Sequence, residues 1–194
     1  VEEFKKSFGE DPKKVTIENI QSRIRGRILM EYSNNTGAIV LSTGNKSELS
    51  VGYCTLYGDT NGGLNLIGDL YKMQVYALSR YYNEIHGTEL IPVSIIVKEP
   101  SAELFPGQVD TDSLPPYPVL DAILRLYIEH DYLDEKERLD ELCMLQGIRQ
   151  EVIDKVIRLV HNSEFKRHQA PPIIRVQYRA VGVGRQIPIV AVRY

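Results

Sequence analysis

Apolar residues return at helical spacing early in the chain. Ile17, Ile20, Ile24, Ile28 and Met30 recur near a helical period and predict a helix over residues 15 to 34. The run GAIVLSTG, residues 37 to 44, is largely apolar and ends in Gly, the pattern of a short buried strand in a parallel sheet. A helix is expected to begin at Asn45. A longer helical pattern, DLYKMQVYALSRYYNEIHG, covers residues 69 to 87, with Asp69 as its cap and Gly87 as its stop. Residues 100 to 118 hold five prolines and read as a loop. Helical patterning resumes at 118 to 132, 134 to 146 and 149 to 163, and the last twenty residues alternate like strands or an extended tail. Strand, helix and glycine-ended turn in this order predict an α/β fold, a parallel sheet with flanking helices.

Composition adjusts this picture in three ways. A length of 194 residues allows one large domain or a core with appendages, and the apolar fraction suffices for a buried core. No apolar run is long enough to cross a membrane and no segment resembles a signal peptide, so no membrane partner is expected. Cys54 and Cys143 form no CxxC pair and are expected to be reduced thiols in the cytoplasm. A first residue Val1, leading straight into a charged segment, is expected of a piece of something longer.

Charge is segregated behind a net value of -3. Residues 1 to 98 carry 11 basic and 11 acidic side chains, residues 99 to 154 carry 4 and 14, and residues 155 to 194 carry 8 and 1. The basic end suits an anionic partner, whereas the acidic middle argues against general nucleic-acid binding. A solvated acidic helical face beside a basic tail accounts for the same pattern.

The candidate chemistry lies near Lys46. The stretch GNKS is not a phosphate-binding P-loop, because Asn45 separates Gly44 from Lys46 and Ile39 stands where that motif needs another Gly. Asn45 and Glu48 have the spacing of a helix capping box, with the carboxylate favoured by the helix dipole. A helix opening after a strand is also where α/β proteins bind anions. Lys72 falls in the first turn of the second helix, where the dipole opposes a cation by about 0.3–1 kcal/mol unless a phosphate sits beside it. Lys72 pointing simply into solvent is the competing account. The glycine-rich run YGDTNGGLNLIGD, residues 57 to 69, permits close backbone approach to a ligand. Arg23 and Arg27 share a face of the first helix, with Arg25 pointing elsewhere, and exposed arginines are ordinary. Lys166 and Arg167 end a helix, where a basic pair commonly serves only the dipole. His86, His130, His161 and His168 show no metal-ligand spacing and read as lone surface histidines.

Taken in order, the blocks ENIQSRIRG (18 to 26), STGNKSELSVGYCTLYGD (42 to 59), GDLYKMQVY (68 to 76), KEPSAELFPGQVDTDSLPPY (98 to 117) and EFKRHQAPP (164 to 172) resemble the synthetase domain of NAD+ synthetase. RVQYRAVGVGRQIP (175 to 188) is similar to the tail of the long, glutamine-dependent branch. The resemblance covers nearly the whole chain, from the α/β part (residues 1 to 99) through a Pro-rich lid (100 to 117) and a helical part (118 to 172) to the tail (173 to 194). It implies an adenine-nucleotide alpha-hydrolase-like fold of the ATP-pyrophosphatase type. It also implies amidation of deamido-NAD+ to NAD+ through an adenylate, using Mg-ATP and ammonia drawn from glutamine by a nitrilase-like glutaminase domain, in a homodimer.

Position by position, the resemblance implies that Thr43, Lys72 and Ser101 meet ATP. It implies that Glu48 holds Mg2+ and lies at the substrate, and that Glu48 and Lys72 carry the chemistry. Asn19, Arg23, Tyr53, Asp59, Lys166 and Arg167, with Glu48, would bind deamido-NAD+. The SGGxDS-type phosphate loop of the family occurs nowhere in these residues. The chain is therefore expected to lack the first strand of the sheet, to be a C-terminal portion, and to be inactive alone. Two alternatives remain: a non-catalytic nucleotide-binding or dimerisation fragment, and a different ATP-pyrophosphatase amidotransferase related to GMP or asparagine synthetase.

Overall fold

The computed structural model describes residues 1 to 181. Local signals set most of its helices. After a short α1 (Glu2–Phe8), α2 runs over Lys14–Thr36, matching the early apolar period. Next come β1 (Leu41–Ser42), α3 (Lys46–Val51), β2 (Leu64–Asn65), α4 (Lys72–His86) and a single-turn α5 (Val93–Val97). The Pro-rich stretch is irregular apart from a 3₁₀ turn at Asp110–Asp112. It leads into α6 (Tyr117–Ile128), which begins at Pro116–Tyr117–Pro118 because proline suits a first helical turn. The chain then forms α7 (Glu135–Met144), α8 (Gln150–Asn162) and α9 (Glu164–Arg167). Of these elements, α1, β2, α5 and α9 had no counterpart in the apolar pattern.

α6 is the core element. Leu120, Ala122, Ile123 and Leu124 are buried on it, packed with Val51 of α3, Tyr71 before α4, and Val156 and Val160 of α8. α4 ends as its sequence predicts, with Gly87 in the left-handed region at φ 61°.

The sheet departs from expectation. β1 pairs in parallel with β2, Leu41 opposite Leu64 and Ser42 opposite Asn65, and Asn65 forms a further parallel bridge to Ile173. The orientation is as predicted, but the run 37 to 44 is not a buried strand. Only two of its residues pair, and Ile39 and Leu41 are 64% and 45% exposed, since no element among the described residues covers that side. Apolar character alone cannot supply a covering layer. The tail, where described, is irregular apart from the Ile173 bridge; residues 182 to 194 lie outside the described residues.

A second departure concerns the start of α4. Asp69 does not cap it, because the helix begins three residues later, at Lys72. Asp69 is fully buried, and one of its oxygens accepts hydrogen bonds from the Val176 and Gln177 amides at 2.8 and 2.7 Å. Two amides on one carboxylate fasten the tail to the sheet side of the molecule, and that use outcompetes local capping. The predicted helix at 118 to 132 ends at Ile128 and continues as a 3₁₀ turn at His130–Tyr132.

Candidate functional site

The capping box is formed as its spacing predicts. The Glu48 amide donates to Asn45 Oδ1 at 3.0 Å, and the Asn45 amide donates to Glu48 Oε2 at 3.1 Å. This pins the Glu48 carboxylate and turns its other oxygen toward Lys72, whose Nζ lies 3.1 Å away. Lys72 is thus not free in solvent. Burial works against its ammonium, but the Glu48 charge and hydrogen bond outweigh burial and raise its pKa above the ordinary value. The Tyr117 hydroxyl lies 2.7 Å from Asp110 Oδ2 and 3.4 Å from Glu48 Oε1, so two carboxylates converge on one phenol. Burial, then the Glu48 charge and the Asp110 hydrogen bond, push that phenol far above its usual range and keep it protonated. Tyr53 is raised in the same way, by burial and then by the facing Asp110.

Beneath this pair two buried systems hold the helix starts. The Ser47 hydroxyl donates to Asp121 Oδ1 at 2.5 Å and accepts from the Lys72 amide at 2.9 Å, while the Met73 amide donates to Asp121 Oδ2 at 2.9 Å. Lys46, with no exposed surface, ion-pairs with Glu129 and with Asp69 Oδ1 (3.0 Å) and donates to the Arg179 carbonyl at 2.7 Å. Neither system has a helical-spacing signature, so neither could be read from the sequence.

Neither Glu48 nor Lys72 lines a cleft of about 280 Å³ that adjoins Glu48 through Tyr53, whose amide donates to the Glu48 carbonyl; Asn19, Arg25, Tyr53, Asp59, Gln108 and Lys166 are among its walls. Thr55 knits its floor, its hydroxyl donating to Asn19 Oδ1 at 2.9 Å and its amide to Asp59 Oδ1 at 2.6 Å. The Lys166 ammonium donates to the Gly52 and Cys54 carbonyls, both at 2.7 Å, which anchors a cation at the rim. Cys54 also lines the cleft; burial pushes its thiol up to about 11, so it stays protonated near neutrality. Both Cys54 and Cys143 are unpaired.

Four of the residues singled out for deamido-NAD+ therefore share one cleft: Asn19, Tyr53, Asp59 and Lys166. Arg23 does not line it, its Nε donating to the Leu56 carbonyl at 3.1 Å. Arg25, set apart on helical-wheel grounds, lines both this cleft and an adjoining one of about 210 Å³ that holds Thr43. Arg167 departs most from expectation. It is buried, ion-paired with Glu164 at 2.7 Å and donating to the Ser50 and Val160 carbonyls, and so clamps α9 to α3 and α8 instead of facing a ligand. Ser101 borders a separate open cleft of about 610 Å³ with Gln21 and Lys98, its hydroxyl accepting from the Glu103 amide at 3.0 Å. His161 is also no lone surface side chain, because its Nε2 lies 2.6 Å from the Tyr127 hydroxyl. Asp110 and Tyr117 lie inside the block 98 to 117 and had no assigned role.

Residues 1–170 match the family described as NAD synthase. A glutamine-dependent NAD(+) synthetase of Synechocystis is 51% identical over 94% of this chain and 31% of its own length. Its counterpart in Acinetobacter baylyi is 49% identical over 94% of this chain and 33% of its own length. The chain thus spans about a third of the length of these relatives. Among solved structures, a glutamine-dependent NAD(+) synthetase from Cytophaga hutchinsonii superposes over 97% of this chain and 31% of its own, with TM-score 0.73 at 22% identity, which bears on fold alone. An NH3-dependent NAD synthetase from Campylobacter jejuni matches 90% of this chain and 61% of its own, at TM-score 0.57 and 25% identity. The α/β fold, helix-rich with a small parallel sheet, is therefore of the ATP-pyrophosphatase type.

Proposed function

The chain belongs to the NAD synthase family, and on that premise we propose that it is the part of an NAD+ synthetase that binds deamido-NAD+ and assists its activation by ATP. In this reaction the deamido-NAD+ carboxylate attacks the α-phosphorus of ATP and pyrophosphate leaves. Ammonia then attacks the carbonyl of the adenylate, a proton is lost, and AMP leaves to give NAD+. The observation that carries the reading is the Glu48–Lys72 pair, 3.1 Å apart, whose Glu48 adjoins through Tyr53 a cleft that also gathers Asn19, Asp59 and Lys166. Negative charge builds on the departing pyrophosphate, and a fixed half-buried ammonium is suited to stabilise it without a nucleophilic side chain. Lys72 takes that role, Asn19, Tyr53 and Asp59 orient the substrate, and Lys166 offers a cation to its phosphates. Arg25 joins this set in place of Arg167, whose guanidinium is committed to the interior. Thr43 contacts the adenine nucleotide from the adjoining cleft. Ser101 reaches the nucleotide only if the Pro-rich segment swings inward, as a lid that keeps water from the adenylate.

Mg2+ suits the donor set: Glu48 and Asp110 are hard oxygen ligands that converge on Tyr117, and Asp110 Oδ1 is buried without a hydrogen bond. One or two carboxylates with substrate phosphates are the usual magnesium set. Glu48 would hold the ion, which when bound neutralises charge on the phosphate oxygens. The longer, glutamine-dependent relatives support a parent chain with a glutaminase domain supplying ammonia. The exposed apolar flank of α2 supports a homodimer, with Asn19 and Arg23 near the seam.

The test is NAD+ formation from deamido-NAD+, Mg-ATP and ammonium, read through a coupled dehydrogenase. The 194 residues alone are expected to bind deamido-NAD+ without turnover, lacking an SGGxDS-type loop, whereas the full-length protein that carries them turns over. In the latter, Lys72→Met and Glu48→Gln lower kcat about 100-fold, the scale of one lost transition-state charge contact. Wild-type rates in Lys72→Met would remove the assigned role, and amidation of another acceptor would replace the substrate.

A further inference from the structure

The Glu48–Lys72 pair is made by two helices that begin side by side, and something must set the distance between them. Each helix has a local cap of its own. Asn45 and Glu48 close α3, and at α4 the Tyr71 amide donates to Gln74 Oε1 at 2.9 Å. Apart from the Glu48–Lys72 contact itself, neither cap reaches from one helix to the other. Two side-chain systems join the starts: Glu129 accepts from Lys46 and from the Tyr71 hydroxyl, whereas Ser47 with Asp121 takes the Lys72 and Met73 amides of the first turn of α4 itself.

Asp121 occupies a position that local rules disfavour. It lies in the interior of α6, flanked by fully buried Leu120, Ala122 and Leu124, and is itself only 5% exposed. Burial pushes its carboxyl up to about 6, against the hydrogen bonds from Ser47 and Met73 and the nearby Lys72 charge that lower it, while Glu141 raises it further. An apolar residue there would extend the core at less cost. Both oxygens are engaged: one by the Ser47 hydroxyl of α3, the other by the Met73 amide of α4. Ser47 in turn accepts the Lys72 amide, so two consecutive contacts run from α6 through α3 to the residue that carries the ammonium.

We propose that Asp121, acting through Ser47 and the Met73 amide, is the positioning residue that sets the Glu48–Lys72 separation by fastening the two helix starts to the core helix. The inference rests on the reading of Glu48 and Lys72 given above. Asp121 touches no substrate; it withholds freedom from the first turn of α4, whose amide donors have no intrahelical acceptor. Without it the Met73 amide loses its acceptor and the Ser47 hydroxyl that holds the Lys72 amide loses its anchor, the first turn frays, and the ammonium departs from Glu48. The cleft of Asn19, Tyr53, Asp59 and Lys166 has no bond to Asp121 and keeps its shape.

Two readouts on the full-length protein separate this role from a general loss of stability. The first is amine acylation by an N-hydroxysuccinimide ester, quantified lysine by lysine by mass spectrometry. Asp121→Leu, close to Asp in size and without acceptors, is expected to raise Lys72 acylation about fivefold with Lys166 unchanged, since a freed helix terminus exposes only what it carries. The second is steady-state NAD+ formation. Here kcat falls about tenfold or more while KM for deamido-NAD+ stays within about twofold, the signature of a lost transition-state contact. Asp121→Asn, which keeps one acceptor, falls between, and Ser47→Ala repeats the pattern where Asp121→Leu does not fold. Unchanged Lys72 acylation in a folded variant, or Lys72 and Lys166 rising together, overturns the proposal whatever the activity. Acylation that shifts as expected in a protein making no NAD+ leaves the fastening in place and removes the proposed function instead.

Discussion

Lys46 sits between Glu129 and Asp69 with no exposed surface, and the three together form a centre that water does not reach. The Tyr71 hydroxyl also donates to Glu129 at 3.0 Å, so removing the lysine leaves Glu129 with this phenol, Asp69 with the two tail amides, and neither carboxylate with a cation. Lys46→Met should therefore destabilise the fold by about 3–5 kcal/mol, the scale of a buried pair broken on one side. The urea midpoint measures it, and adding Glu129→Gln should recover part of the loss. An unshifted midpoint would mean that the buried ion pairs contribute nothing to the stability of the fold. This residue also shows where sequence reading stops. Asn45 and Glu48 were legible because their partnership is closed within three residues. Lys46 and Glu129 are 83 residues apart, so nothing near Lys46 distinguishes a buried structural cation from a phosphate ligand. Arg167 misled in the same way: its inward guanidinium depends on Ser50, 117 residues away.

α3 is short, and its end matters as much as its start. Gly52 closes it at φ 70°, and a Cβ there would meet Ser163 Oγ at 2.2 Å and Ser163 Cβ at 2.6 Å. Gly52→Ala is thus strained both by its backbone and by a side chain that cannot withdraw, since Ser163 Oγ donates to the Val51 carbonyl at 2.8 Å. A loss of more than about 1 kcal/mol in thermal stability is expected. Because Lys166 donates to the Gly52 carbonyl, weaker deamido-NAD+ binding should accompany the loss. Stability falling with binding intact would separate the α3 terminus from the cleft. At this scale the sequence was informative wherever helical patterning ran through several turns, as in α2, α4, α7 and α8. It failed where one signal stood alone. The apolar run 37 to 44 gave orientation without burial, and α5, a single turn of VSIIV, is too short to show a period. Asp69 looked like a cap because caps favour Asp, but the distant amides of Val176 and Gln177 claim it.

The molecule as described leaves a broad apolar flank in view. Ile24, Ile28 and Tyr32 follow one another at four-residue steps along α2, and all are more than half exposed. Tyr81 and Ile85 of α4 are exposed as well. Light scattering at micromolar concentration is expected to give twice the mass of the chain, and Ile28→Asp to return a monomer, because a charge at the centre of an apolar interface is costly to bury. A wild-type monomer would assign the flank to some other cover. The long connections of the site carry a consequence for how it comes into being. Lys166 reaches Cys54 across 112 residues, Val176 reaches Asp69 across 107, and Lys46 reaches Arg179 across 133. Helices such as α2 and α4 can form as soon as they leave the ribosome, but contacts this distant wait for both ends of the loop they close. Asp69, Lys46 and the rim of the cleft are therefore made early in synthesis and completed late. During that interval a nascent chain exposes buried carboxylates and an unclosed pocket, the period in which a chaperone has most to protect.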